Sequence, residues 1–202
     1  MIFNIILMGV GGQGIVTSGI LIADAAKTSG INAVMSEVHG LSQRGGSVRV
    51  DLRLGDVTGS IVPKGETDLI LGFEPMEAAR CFVDTGGNPK IVVGDQIMVP
   101  ISLSTKGEEY PSMESLNEDY FKYADLYRVE SSKIALEAGN KKVSNMAVLG
   151  GAFGINAIPV PFENMIGSLE SRFHGEILRA NNEALNMGRE KVRKFSSRIN
   201  SI

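Results

Sequence analysis

Residues 3–8 form an apolar run broken only by Asn4 and ended by Gly9. Such a run predicts a short strand buried on both faces of a parallel sheet. From Ile15 the period lengthens: Val16, Gly19, Ile20, Ala23 and Ala26 make one helical stripe that stops at Ser29 and Gly30, where glycine suits a C-terminal cap. Residues 32–38 read as a second strand. Then Val48, Val50, Leu52 and Leu54 alternate with Arg49, Asp51 and Arg53, the pattern of a half-exposed strand, and Gly55-Asp56 predicts a hairpin turn into residues 57–62. Residues 68–72 and 90–94 are further short apolar strands, separated by a helix starting near Pro75, a residue suited to a first helical position. Residues 126–129 give one more strand, and helical periodicity follows near 131–138, 145–153, 163–168 and 176–193. Alternation of strand and helix predicts an α/β fold: a Rossmann-like, mostly parallel sheet flanked by helices, with a β-hairpin excursion and a helical C-terminal part. Residues 100–117, rich in Ser, Pro, Gly and Glu, read as a loop or small insertion. Residues 194–202 are expected to fray.

Composition narrows the functional classes. At 202 residues, with 43% apolar and 21% charged side chains, the chain is expected to form a single domain over residues 1–202. A net charge of -3 supplies no basic face for nucleic acid. Cys81 is the only cysteine, so the chain makes no internal disulfide and cannot by itself hold a thiolate-ligated iron–sulfur cluster, which takes about four cysteines. His39 and His174 show no metal-ligand spacing, and no metal site is expected. The first charged side chain is Asp24, yet Gly9, Gly11, Gly12, Gly14 and Gly19 interrupt the apolar stretch before it. No membrane segment is expected, and a cytoplasmic location follows from that reading.

Two segments concentrate candidate chemistry. Gly9, Gly11, Gly12, Gln13 and Gly14 fit G-x-G-x-x-G directly after a strand and before a helix. Glycines there let backbone N–H groups approach an anionic group or a partner chain without a Cβ in the way. The same glycines also serve a tight turn with close helix packing and no ligand. A dinucleotide site needs an acidic residue at the end of the second strand, and Glu37 is the candidate, though it sits late, inside a glycine-rich loop. Glu37, His39, Ser42, Gln43 and Arg44 crowd donors and acceptors together, and Gly45-Gly46 lets that loop fold back. Arg44 is suited to forked pairing with phosphate or carboxylate, and His39 to titration near neutrality. Glu74, ahead of Pro75, reads first as a helix cap. Asn145 lies near a helix N-terminus, and Gly150, Gly151 and Gly154 suit close approach of another helix or chain. Asn181 and Asn182 read as a solvated helix face.

Three blocks carry a family resemblance: Gly9-Val10-Gly11-Gly12-Gln13-Gly14; the run from Ser36 through Glu37, His39, Ser42, Gln43, Arg44, Gly45 and Gly46 to Val48; and Gly72-Phe73-Glu74-Pro75-Met76-Glu77-Ala78. They resemble the beta subunit family of indolepyruvate:ferredoxin oxidoreductase, which corresponds to the gamma subunit or domain of pyruvate and other 2-oxoacid:ferredoxin oxidoreductases. The resemblance covers most of residues 1–95 and, more loosely, the helical half through Asn182. It implies a subunit, inactive alone, of an enzyme that oxidatively decarboxylates an aryl 2-oxoacid to an acyl-coenzyme A and passes electrons to ferredoxin. Thiamine diphosphate and iron–sulfur clusters are then expected in a larger partner subunit, with coenzyme A as co-substrate. No Gly-Asp-Gly run precedes Asn181-Asn182, so the thiamine-binding pattern is missing here. The role implied for this chain is to complete the active-site cleft, its two glycine-rich loops facing partner or cofactor. A gamma subunit for pyruvate or another 2-oxoacid, a free-standing nucleotide-binding module and an NAD-dependent oxidoreductase remain the alternatives.

Overall fold

The structure is a computed structural model that describes residues 1–39, 46–99 and 109–195. Among the described residues seven strands form one sheet: β1 (Phe3–Val10), β2 (Ala33–His39), β3 (Ser47–Leu54), β4 (Leu69–Gly72), β5 (Lys90–Gly94), β6 (Asp125–Val129) and β7 (Arg193–Lys194). Their order is β2-β3-β1-β4-β5-β6-β7. Strands β1, β4, β5 and β6 pair in parallel, whereas β3 lies antiparallel between β1 and β2, and β7 antiparallel to β6. Around the sheet lie α1 (Ile15–Thr28), α2 (Pro75–Thr85), the single turn α3 (Met113–Leu116), α4 (Ser131–Glu137), α5 (Ser144–Gly154), α6 (Phe162–Arg172) and α7 (Gly175–Lys191). No helix among the described residues is long and apolar enough to cross a membrane.

The two-residue period of the strands builds two cores. Ile5, Leu7, Leu69, Leu71 and Val92 point into the larger one, with α1 and the four C-terminal helices. Ile6, Ile70, Ile91 and Val93 point the other way, onto α2 and α3. After β1 the chain therefore runs back over one face, and after β4 over the other. That reversal opens a crevice at the carboxyl ends of β1 and β4, the position where open α/β sheets take ligands. Helix α5 is buried all round and is crossed closely by α7: a Cβ at Gly150 would collide with the Leu185 carbonyl, and one at Gly188 with the Ala147 carbonyl. The small residues 150 and 154 thus serve a helix of the same chain.

Several details differ from the sequence pattern. Residues 57–62 form no strand, and the hairpin partner of β3 is β2. The polar side of β3 is not bare. Asp51 accepts from Val62 N (2.9 Å) and pairs with Arg49 (2.6 Å), Arg53 Nη1 donates to the Gly59 carbonyl (3.2 Å), and Asn4 Nδ2 donates to the Glu66 carbonyl (2.7 Å). Side chains hold the 57–66 segment over this face, so its backbone needs no ladder. Within the stretch 100–117, residues 100–108 lie outside the described residues, and Met113–Leu116 is helical. Arg193–Lys194 leaves the last helix to pair with β6, and residues 196–202 lie outside the described residues. Asn181 is buried rather than solvated, its Nδ2 donating to the Ile177 carbonyl.

Candidate functional site

The loop between β1 and α1 is closed by its own glutamine. Two residues bend the backbone into the left-handed region, Gly12 at φ 104° and Gly14 at φ 74°. This turns Gln13 inward, to 5% exposure. Gln13 Oε1 accepts from Val10 N (2.9 Å), while Nε2 donates to the Phe73 carbonyl (3.0 Å) and to Gln96 Oε1 (3.2 Å). One side chain therefore ties the ends of β1, β4 and β5 together across the crevice. Ser144 Oγ donates to Gln96 Oε1 (2.9 Å), which extends the network to α5. On the other side Asn145 Nδ2 reaches the Gly14 carbonyl (3.3 Å) and Ser18 Oγ (3.2 Å). A Cβ at Gly14 would lie 2.5 Å from Asn145 Nδ2, and one at Gly9 2.7 Å from Gln13 Oε1. Both glycines are thus explained by internal packing. Gly12 is not: it is exposed, and a Cβ there would meet nothing within 4 Å.

The second loop ends beside the first. Gly11 N donates to the Gly46 carbonyl (2.9 Å), which joins the start of the glycine loop to the end of the 37–46 segment. Gly40, Leu41, Ser42, Gln43, Arg44 and Gly45 lie outside the described residues, so the structure does not place Ser42, Gln43 or Arg44. His39 ends β2, and Glu37 sits on that strand, exposed. In the register Glu37 faces Val50 and Val50 faces Leu7, so β3 stands between Glu37 and β1. Two strand spacings put it about 10 Å from the β1 backbone. A ribose-binding carboxylate needs the strand beside β1. With Gln13 filling the crevice as well, this geometry disfavours a dinucleotide cradle.

Sequence reasoning missed the partners of the loop, Gln96 and Ser144, because they come from 83 and 131 positions downstream of Gln13 and carry no local signature. It also missed Tyr110. Glu74 caps α2 as expected, its Oε2 accepting from Glu77 N (2.9 Å), but Tyr110 donates to Oε1 (2.5 Å) and accepts from Met76 N (3.1 Å). Complete burial raises the carboxyl of Glu74 above the usual range, and the hydrogen bond from Tyr110 opposes that rise. Burial likewise pushes the Cys81 thiol up to about 12. Packed at 2% exposure in the smaller core, it is a thiol and not a cluster ligand. Among the described residues no group of three or more His, Cys, Asp or Glu side chains could hold a metal ion. The residues described do not fit an iron–sulfur cluster.

The family model for pyruvate ferredoxin/flavodoxin oxidoreductase matches residues 4–191. Indolepyruvate oxidoreductase subunit IorB of Methanothermobacter thermautotrophicus is 36% identical over 189 residues, covering 93% of this chain and 96% of that protein. Pyruvate oxidoreductase subunit PORC of Thermotoga maritima has the same fold, with a TM-score of 0.74 at 22% identity over 95% of this chain and 97% of that one. A 2-oxoglutarate:ferredoxin oxidoreductase of Magnetococcus marinus, solved with 2-oxoglutarate, coenzyme A and succinyl-CoA bound, contains it as 30% of a longer polypeptide, with a TM-score of 0.70 at 18% identity over 94% of this chain. The chain belongs to the pyruvate ferredoxin/flavodoxin oxidoreductase family.

Proposed function

We propose that this chain is the gamma-type subunit of a 2-oxoacid:ferredoxin oxidoreductase acting on an aryl 2-oxoacid of the indolepyruvate kind. A larger partner carries the thiamine diphosphate, which supplies the decarboxylation chemistry, and the iron–sulfur clusters that pass electrons to ferredoxin. This chain completes the active-site cleft and is inactive alone. The observation that carries the reading is the bond from Gly11 N to the Gly46 carbonyl, which fixes the end of the 37–46 segment against the glycine loop at the carboxyl edge of the sheet. Gln13 has already satisfied the interior of the first loop, so what faces outward there is the backbone of Gly12. A bare backbone surface is suited to close approach by another chain. Relatives named for indolepyruvate support the substrate class, and the occurrence of the same fold inside a longer oxidoreductase polypeptide supports a partner.

The test is co-purification of the tagged chain from its source, followed by an assay with indolepyruvate, coenzyme A and a viologen acceptor. A larger thiamine- and iron–sulfur-bearing polypeptide should accompany the chain, and turnover should require both. In the complex, Arg44→Ala should lower turnover or weaken association by tenfold or so, as expected for loss of a charge-assisted pair. Activity in the isolated chain, or an Arg44→Ala complex unchanged in both respects, refutes the reading.

A further inference from the structure

At the end of the sheet remote from the glycine-rich loops, a cleft of about 640 Å³ is lined by Asp95, Arg128, Glu130, Lys191, Arg193 and Phe195, among others. Asp95 and Glu130 follow the carboxyl ends of β5 and β6, so the cleft opens on the ligand-binding edge of an α/β sheet. Most of its charges are already matched. Asp95 Oδ1 accepts from Ser131 Oγ (2.9 Å) and Ser132 N (2.8 Å). Glu130 lies 3.7 Å from Lys133, and Lys191 pairs with Glu137 at 2.6 Å. Lys194, also on the lining, pairs with Asp125 at 2.8 Å.

Two guanidinium groups are left over. Arg128 and Arg193 face each other directly in the antiparallel β6–β7 register. Neither pairs with a carboxylate among the described residues. Arg128 lies over the ring of Phe195, 5.0 Å from its centroid, and among the described residues Arg193 donates to the carbonyls of Glu190 (3.1 Å) and Val192 (2.9 Å). Like charges directly opposite on a strand pair destabilise it. The juxtaposition becomes favourable when an anion sits between them.

From this pair and the cleft beside it we infer a binding site for a phosphate group, held by Arg128 and Arg193 together. A carboxylate offers two oxygens, a single edge that one guanidinium fork engages in full. A phosphate dianion offers three or more and accepts from two forks at once. The cleft exceeds the volume of the ion, which leaves room for the organic part of a phosphomonoester against Val129 and Phe195. This site is independent of the proposed subunit role, because none of its residues belongs to the loops that carry that reading.

The experiment is isothermal titration of the full chain, and of its native complex, with inorganic phosphate, adenosine 5′-monophosphate and acetate at matched ionic strength. One phosphate or one phosphomonoester per chain is expected, with acetate at least about tenfold weaker. The tighter of the two phosphate ligands identifies the source. Arg193→Gln, at an exposed position, should keep the native circular dichroism and weaken phosphate binding by about tenfold or more. Arg128→Lys, which keeps the charge and loses the fork, should weaken it measurably while leaving the fold intact. Equal binding of acetate and phosphate, no saturable phosphate binding, or undiminished binding in Arg193→Gln overturns the inference.

Discussion

Replacing Gln13 by alanine tests whether the glycine loop is an internally closed joint. The substitution removes the acceptor of Val10 N and the donor to the Phe73 carbonyl, and both of those residues are buried. Each of the two orphaned buried groups costs about 1–3 kcal/mol, so the loss should be roughly 2–6 kcal/mol. In a chain of this size that corresponds to a melting temperature lower by roughly 4–24 °C. Gln13→Glu sharpens the test. Its carboxyl keeps an acceptor for Val10 N but turns the donor into an oxygen facing the Phe73 carbonyl at 3.0 Å and Gln96 Oε1 at 3.2 Å. The introduced group should therefore titrate above an ordinary glutamic acid. A carboxyl with a raised folded pKa holds its proton more tightly in the folded state, so stability falls as pH rises through that value. Urea unfolding at pH 5 and pH 8 should show this variant much closer to the parent at the lower pH. A Gln13→Ala chain within about 0.5 kcal/mol of the parent would refute the joint and leave Gln13 as a ligand-facing residue.

Tyr110→Phe removes the one side-chain bond that favours ionised Glu74, whose carboxyl is already raised from 4.5 by burial. Stability should then fall more steeply with rising pH above the ordinary glutamate value than it does in the parent, and equal slopes in urea unfolding between pH 4 and 8 would contradict the assignment. Cys81, held as a thiol with its pKa near 12, should resist iodoacetamide at pH 8 in the folded chain and react once urea has unfolded it. Gly12→Ala should cost the isolated chain about 1–2 kcal/mol through its positive φ. If the loop packs on a partner, the added Cβ should weaken association further, as measured by pull-down at graded concentrations, whereas an unchanged complex would remove Gly12 from the interface.

The strands and helices that were legible from the sequence are those whose pattern is local. The run ending at Gly9, the stripe from Ile15 and the Glu74-Pro75 start of α2 each specify their own conformation by burial or capping. What was hidden is pairing. The alternation over residues 48–54 identifies a strand with two unlike faces, and that holds whether its neighbours are β1 and β2 or a following hairpin arm. The decision rests on Asp51, Arg53 and Asn4, whose side chains bind the backbone of residues 57–66 and make a further strand unnecessary. Arginine and aspartate at alternate positions read as a solvated face. Their hydrogen-bond partners are other parts of the chain, and no period reveals that.

The glycine loop shows the same limit at the site. Its spacing is compatible with a nucleotide cradle, a bare turn and a contact surface, because all three need backbone free of Cβ. Gln13 separates them. In a cradle, the space at the β1–β4 crevice must stay open for the ligand and the loop N–H groups must point into it. Here a side chain of the loop itself occupies that space, binds Val10 N, and reaches to β4 and β5. Gly9 and Gly14 then answer to internal neighbours, while Gly12 has none within 4 Å of a Cβ position and only its backbone dihedral to explain it. The exposed half of the loop is therefore free to be shaped by what lies outside the chain. Tied to Gly46, it meets the end of the second glycine-rich segment, and under the proposed role a partner subunit docking at this edge would come against the backbone of Gly12.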